Sequence, residues 1–122
     1  MTAGAVRYLD LTVPQLWLPL YDWVVCLEVI EHVPAQFESI VLENVIRPAK
    51  VGVVLSWALP TQPGAMHVNA RPAKYVEEEL RRRRLTLDVD ATERLRNGSA
   101  LSWFQRNTVV YRKTPIASKS LS

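Results

Sequence analysis

Within five residues, Glu28, Glu31 and His32 place two carboxylates and one of the chain's two histidines behind its most apolar run, in the stretch YDWVVCLEVIEHVP. Such side chains take up or release protons near neutral pH, and an imidazole at the mouth of an apolar segment is a candidate general base. The second histidine, His67, lies in GAMHVN, where the default is a surface or pocket residue. Asp10, in LDLT, adds one more carboxylate, and an aspartate in that setting equally reads as a turn residue bonding its own backbone. Cys26 is the sole cysteine, which leaves no disulfide framework and no cysteine-based metal site. A lone thiol inside an apolar run suits a reducing, cytoplasmic compartment.

Alternating elements must position these groups. Tyr21 to Leu27 is rich in Val, Leu and aromatics without strict alternation, the pattern of a strand buried on both faces of a parallel sheet. Phe37, Ile40, Val41, Leu42, Val45 and Ile46 recur at helical spacing and predict a helix over Ala35 to Ile46, with Pro34 before it and Pro48 after. Lys50 to Ala58 is a second apolar strand, and Pro60 to Asn69 a loop. Asn69 and Pro72 suggest the cap and first turn of a helix over Pro72 to Arg84 that turns Tyr75, Val76 and Leu80 inward and Glu77 to Glu79 to water. Leu85 to Asp90 alternates like an edge strand, Ala91 to Asn97 reads as a short helix closed by Gly98, and Asn107 to Lys113 as a last strand. The order describes part of an open α/β sheet with an antiparallel finish. Ligands of such sheets bind beyond the carboxyl ends of the parallel strands, so Glu28 marks a cleft.

Composition limits the classes. A chain of 122 residues, 48% hydrophobic and 22% charged, is one globular domain. No apolar run approaches the ~20 residues that span a bilayer, so no membrane partner is expected. Of the charges behind the net +3, Arg81 to Arg84 form a run that would serve nucleic acid or, with Glu77 to Glu79 one turn earlier, a solvated helix face with ion pairs. The four tryptophans, Trp17, Trp23, Trp57 and Trp103, read as core aromatics, with Trp57 also placed to line an acceptor pocket.

The stretches LDLT, YDWVVCLEVIEHVP, LENVIRPAKVGVVLSWALP and GAMHVNARP together resemble the carboxyl-terminal portion of a class I, Rossmann-like S-adenosylmethionine-dependent methyltransferase, from about Tyr8 to Lys113. The resemblance implies a partial methyltransferase sheet, in which Tyr21 to Leu27, Val51 to Trp57 and Leu85 to Asp90 are similar to the fourth, fifth and sixth strands and Asn107 to Lys113 to the antiparallel seventh. It implies cofactor contacts at Asp10 (adenine), Leu11 (its backbone neighbour) and Glu28 (near the methionine moiety). Gly52 resembles the glycine before the fifth strand. The spacing E-x-x-E-H is similar to the divalent-metal motif of ubiquinone-pathway O-methyltransferases and small-RNA 2′-O-methyltransferases. That similarity implies Glu28, Glu31 and His32 as ligands of Mg2+, with His67 as a further ligand, and Glu31 and His32 as the catalytic pair. In relatives without metal, the same letters let Glu31 cap the next helix and the histidine pack near substrate.

The glycine-rich first half of the family's cofactor site has no counterpart here, since the only glycines are Gly4, Gly52, Gly64 and Gly98. The expectation is therefore a truncated methyltransferase domain over residues 1–113, with a disordered tail over 114–122. Its implied activity is methyl transfer to a small-molecule or hydroxyl acceptor rather than nucleic acid. The rival expectation is a non-catalytic pseudo-methyltransferase acting as an interaction module. Without a neighbour on its outer side, Tyr21 to Leu27 is expected to be an open edge that self-associates or docks a complementary chain.

Overall fold

The apolar residues of YDWVVC form strand β1 (Tyr21–Cys26) and those of AKVGVVLS strand β2 (Ala49–Ser56), in a computed structural model that describes residues 9–60, 67–98 and 107–114. The strands run parallel, Trp23 opposite Gly52 and Cys26 opposite Leu55. Parallel neighbours need a crossover, and a 3₁₀ turn at Ala35–Phe37 leading into helix α1 (Glu38–Ile46) supplies it. Val41, Leu42, Val45 and Ile46 of α1 share one buried cluster with Val53 and Leu55 of β2. Helix α2 (Ala73–Arg82) adds Val76 and Leu80 to that cluster.

Strand β3 (Leu85–Leu87), helix α3 (Val89–Asn97) and strand β4 (Thr108–Lys113) complete the unit. The sheet order is β1-β2-β4-β3, with β4 antiparallel to both neighbours. The expected α/β class, parallel pair, edge position of β3 and antiparallel finish are all present. Gly52 lies inside β2, where a Cβ would stand 2.2 Å from the Tyr111 carbonyl oxygen and 2.7 Å from the Trp23 ring. Only glycine admits that approach.

Several expectations need correction. The predicted strand over Leu85 to Asp90 stops at Leu87, because the Asp88 side chain accepts the Ala91 N–H and caps α3 two residues earlier than predicted. That N–H, then the Arg112 guanidinium at 2.6 Å, hold the Asp88 carboxyl below the usual range. Asn69 does not cap α2, whose N-cap position is Pro72. Glu79 is not on the wet face but buried, bridging Arg82 and Arg83 at 2.8 and 2.9 Å. With Arg81 on Glu77 and Arg83 also on Glu43, the arginine run is largely ion-paired. β1 is not buried on both faces, since Val25 is 61% exposed. Trp57 is a core aromatic at 3% exposure, but Trp17 is 93% exposed and Trp23 sits at the sheet edge with Arg112 over its ring. Trp103, Gly64 and the tail beyond residue 114 lie outside the described residues. Among those described, no helix is long and apolar enough to cross a membrane.

Candidate functional site

β1 ends at Cys26, and the chain turns sharply at Glu28, whose φ of 59° places a non-glycine residue in the left-handed region. Ser56, at the end of the neighbouring β2, stabilises the turn: its hydroxyl accepts the Glu28 N–H at 2.8 Å and donates to the Glu28 carboxylate at 3.3 Å. Glu28 is otherwise exposed. A 3₁₀ turn, Ile30–His32, then carries Ile30 and Glu31 into the interior.

Glu31 is fully buried. One carboxylate oxygen accepts the Ala58 N–H at 3.2 Å, just past the end of β2, and its backbone carbonyl accepts the N–H groups of both Val68 and Asn69. The other carboxylate oxygen has no hydrogen-bond partner and lies 3.8 Å from His32 Nε2. Those backbone bonds bring His67 in, so that its ring meets His32 edge-on with centroids 5.0 Å apart. His67 Nδ1 is buried without a hydrogen-bond partner. One donor atom each from Glu31, His32 and His67 falls within 4.8 Å of the others. A buried, unsatisfied carboxylate oxygen beside a buried, unsatisfied imidazole nitrogen is costly unless something fills the gap.

The structure brings together part of the expected set. Glu31 and His32 meet, His67 completes the cluster, and Glu28 is not part of it because its carboxylate turns to Ser56. Glu31 does not cap the next helix, since the 3₁₀ turn at Ala35–Phe37 has no side-chain cap bond.

A second polar group holds this wall, and the sequence reading passed over it. Glu38, buried at the start of α1, accepts from Asn69 Nδ2 at 3.0 Å, from the Arg71 guanidinium at 3.2 Å, and from the Tyr75 hydroxyl. Burial first, then that bond to Glu38, push the Tyr75 hydroxyl up to about 12. Trp57 Nε1 donates to the Asn69 carbonyl at 2.7 Å, and the Arg71 N–H to that of Ala58. The only signal in the sequence was the concentration of polar residues in NARPAKY after an otherwise loop-like stretch.

Asp10 and Leu11 lie in the loop before β1, held to the last turn of α1 through Asn44. One oxygen of Asp10 accepts both the N–H and the hydroxyl of Thr12, at 3.0 and 2.6 Å, which lowers its pKa and matches the turn-residue alternative. Leu11 packs against the core, and its carbonyl is taken by the buried Asn44 side chain at 2.7 Å, which also bonds Val13 and Gln15. Asn44, buried in α1, is what fixes the loop bearing Asp10.

No family model matches the sequence, and a search of curated proteins finds no match. Among solved structures, the magnesium protoporphyrin IX methyltransferase of Synechocystis PCC 6803 is similar, with bound SAH at a TM-score of 0.59 and 17% identity, and with bound SAM at 0.56 and 15%. Both matches cover 87% of this chain but only 49% and 44% of the methyltransferase, so the chain spans about half its length. The parallel β1–β2 pair, the antiparallel β4 between β2 and β3, and this likeness give the chain a partial class I, Rossmann-like methyltransferase fold.

Proposed function

We propose that this chain contributes to S-adenosylmethionine-dependent methyl transfer onto a hydroxyl of a small-molecule acceptor. The observation that carries the reading is the Glu31, His32 and His67 cluster at the carboxyl ends of two parallel strands, where this class of sheet binds ligands. Its fold neighbour binds SAM and SAH. Asp10, Leu11 and Glu28 are assigned to the cofactor. In the reaction, the acceptor oxygen attacks the methyl carbon in line as the carbon–sulfur bond breaks, which asks mainly for alignment. His32, the partly exposed member of the cluster, takes the hydroxyl proton.

As the alternative to His32 acting as the base, Glu31, His32 and His67 would hold a divalent cation, which the two unsatisfied buried atoms fit. When bound, such an ion lowers the pKa of an acceptor hydroxyl. One carboxylate and two imidazoles favour a first-row transition ion over the expected Mg2+, which prefers oxygen donors. A cytoplasmic setting fits the single free, buried thiol of Cys26.

Isothermal titration with S-adenosylhomocysteine, with and without Mn2+, tests the proposal. Binding that is lost in Glu28→Ala and a heat of Mn2+ binding lost in Glu31→Gln are expected. A folded chain that binds neither would sink it. The second reading, a non-catalytic interaction module, is favoured by the open, apolar edge of β1 and would then stand.

A further inference from the structure

The two halves of the histidine cluster lie in separate segments, each leading into a helix: Glu31 and His32 precede α1, and His67 precedes α2. The main chain fixes part of their meeting, through the Val68 and Asn69 N–H groups on the Glu31 carbonyl at 2.9 and 3.0 Å. Side chains add a second tie, and it converges on one carboxylate. Glu38, the buried first residue of α1, accepts Asn69 Nδ2 at 3.0 Å and Arg71 Nη2 at 3.2 Å on one oxygen, and the Tyr75 hydroxyl on the other. The three donors stand 31 to 37 residues further along the chain, in the segment after His67 and the first turn of α2. They are themselves held in place. The Arg71 guanidinium lies over the Tyr75 ring at 4.4 Å, and Trp57 Nε1 bonds the Asn69 carbonyl at 2.7 Å.

We infer that Glu38 is the positioning residue of the cluster: it ties the start of α2 to the start of α1 and thereby sets His67 against Glu31 and His32. A buried ion pair such as Glu38 with Arg71 seldom stabilises a fold more than apolar side chains of the same volume would. What a satisfied polar network supplies is a single arrangement of its members. Asn69 is buried and two residues from His67, so its amide must find an acceptor inside the protein, and reaching Glu38 sets how far that segment advances toward His32. Glu38 acts through Asn69 and not on the reacting groups, as the outer partners of a ligand set do. This role bears on methyl transfer only if the cluster is the site proposed above, whereas the placement of His67 is testable without it.

Histidine NMR of the whole chain in chelator, paired with titration by Mn2+, tests it. The sequence has only two histidines, and edge-on rings with centroids 5.0 Å apart are expected to give a nuclear Overhauser contact between His32 and His67. Glu38→Ala should abolish that contact and weaken Mn2+ binding about tenfold or more. Glu38→Gln should restore both, because its amide oxygen still accepts from Asn69 and Arg71. Leu42→Ala, one turn further along α1 and fully buried, should lower the urea midpoint yet keep the contact. Should Glu38→Ala not fold, Asn69→Ala decides, since it cuts the tie to the His67 segment and leaves Arg71 and Tyr75 on the carboxylate; the contact is again expected to vanish. A parent without the contact, a folded Glu38→Ala or Asn69→Ala that keeps it, a Glu38→Gln that loses it equally, or a Leu42→Ala that loses it too overturns the inference. The Mn2+ arm separates this from the metal reading. A parent that shows the contact and binds no Mn2+ ends the metal reading and leaves Glu38 as the positioning residue, whereas Mn2+ binding untouched by Glu38→Ala does the reverse.

Discussion

Glu31 occupies a position that packing alone would fill with an apolar side chain: it is wholly buried, and one carboxylate oxygen has no hydrogen-bond partner. A buried charge paired only loosely, with His32 Nε2 at 3.8 Å, opposes folding. Sites that sacrifice stability in this way are usually functional. Glu31→Gln keeps an acceptor for the Ala58 N–H and removes the charge, so the variant is expected to be at least as stable as the parent in urea while losing divalent-ion binding. A loss of more than about 1 kcal/mol would mean that the carboxylate is structural. Cys26 illustrates the opposite, inert kind of buried group. Burial first, then the negative charge of Glu31, raise its thiol to about 11. A raised folded-state pKa stabilises the fold below the unfolded value near 9, and that contribution is lost as pH rises through about 11. At pH 8 a disulfide reagent should leave Cys26 unmodified in the native chain and titrate one thiol in guanidinium. Rapid native labelling at pH 8 would contradict the burial.

Among the elements, β2 was the most legible in advance, because a run such as VGVVLSW has no other stable fate than a central strand. What the sequence did not reveal is why its glycine is there. Gly52 is paired with Trp23 on one side and Arg112 on the other, and the Tyr111 carbonyl fills the space of its missing Cβ. Gly52→Ala is therefore expected to cost about 2 kcal/mol or more through forced separation of β2 from β4, read as a lower urea midpoint. A neutral result would show that the strands can part cheaply. The β3–α3 boundary was misplaced for a related reason. The alternation of LTLDVD is genuine, but a single hydrogen bond from Ala91 to Asp88 ends the strand, and local capping outweighs periodicity over three residues. Glu28 and His67 show the limit for the site: spacing along the chain put Glu28 with Glu31 and His32, whereas the left-handed turn at Glu28 and the backbone bonds from Val68 and Asn69 to Glu31 decide which side chains meet.

At the scale of the molecule, the core is one-sided. Ile30, Leu42, Val53, Leu55 and Leu80, all at most 2% exposed, belong to one cluster shared by α1, α2 and the sheet, while α3 buries only Thr92. That asymmetry was half visible. The apolar faces of α1 and α2 announced themselves by spacing, whereas Val89 and Asp90 of VDATERLRN read as part of a strand and the helix as starting only at Ala91. The exposure of β1 followed from topology instead, since composition marked it as the most apolar strand and therefore as the most buried. Stability should follow the core. Leu42→Ala in α1 and Leu80→Ala in α2, each removing a fully buried side chain, are expected to cost about 2–5 kcal/mol, whereas Val89→Ala in α3, at a position 54% exposed, should stay within about 0.5 kcal/mol. Urea denaturation of the three variants at one protein concentration makes the comparison, and because none of these residues lies on the β1 edge, self-association affects all three alike. If Val89→Ala proved as damaging as the two leucine variants, the far face of the sheet would hold a second core.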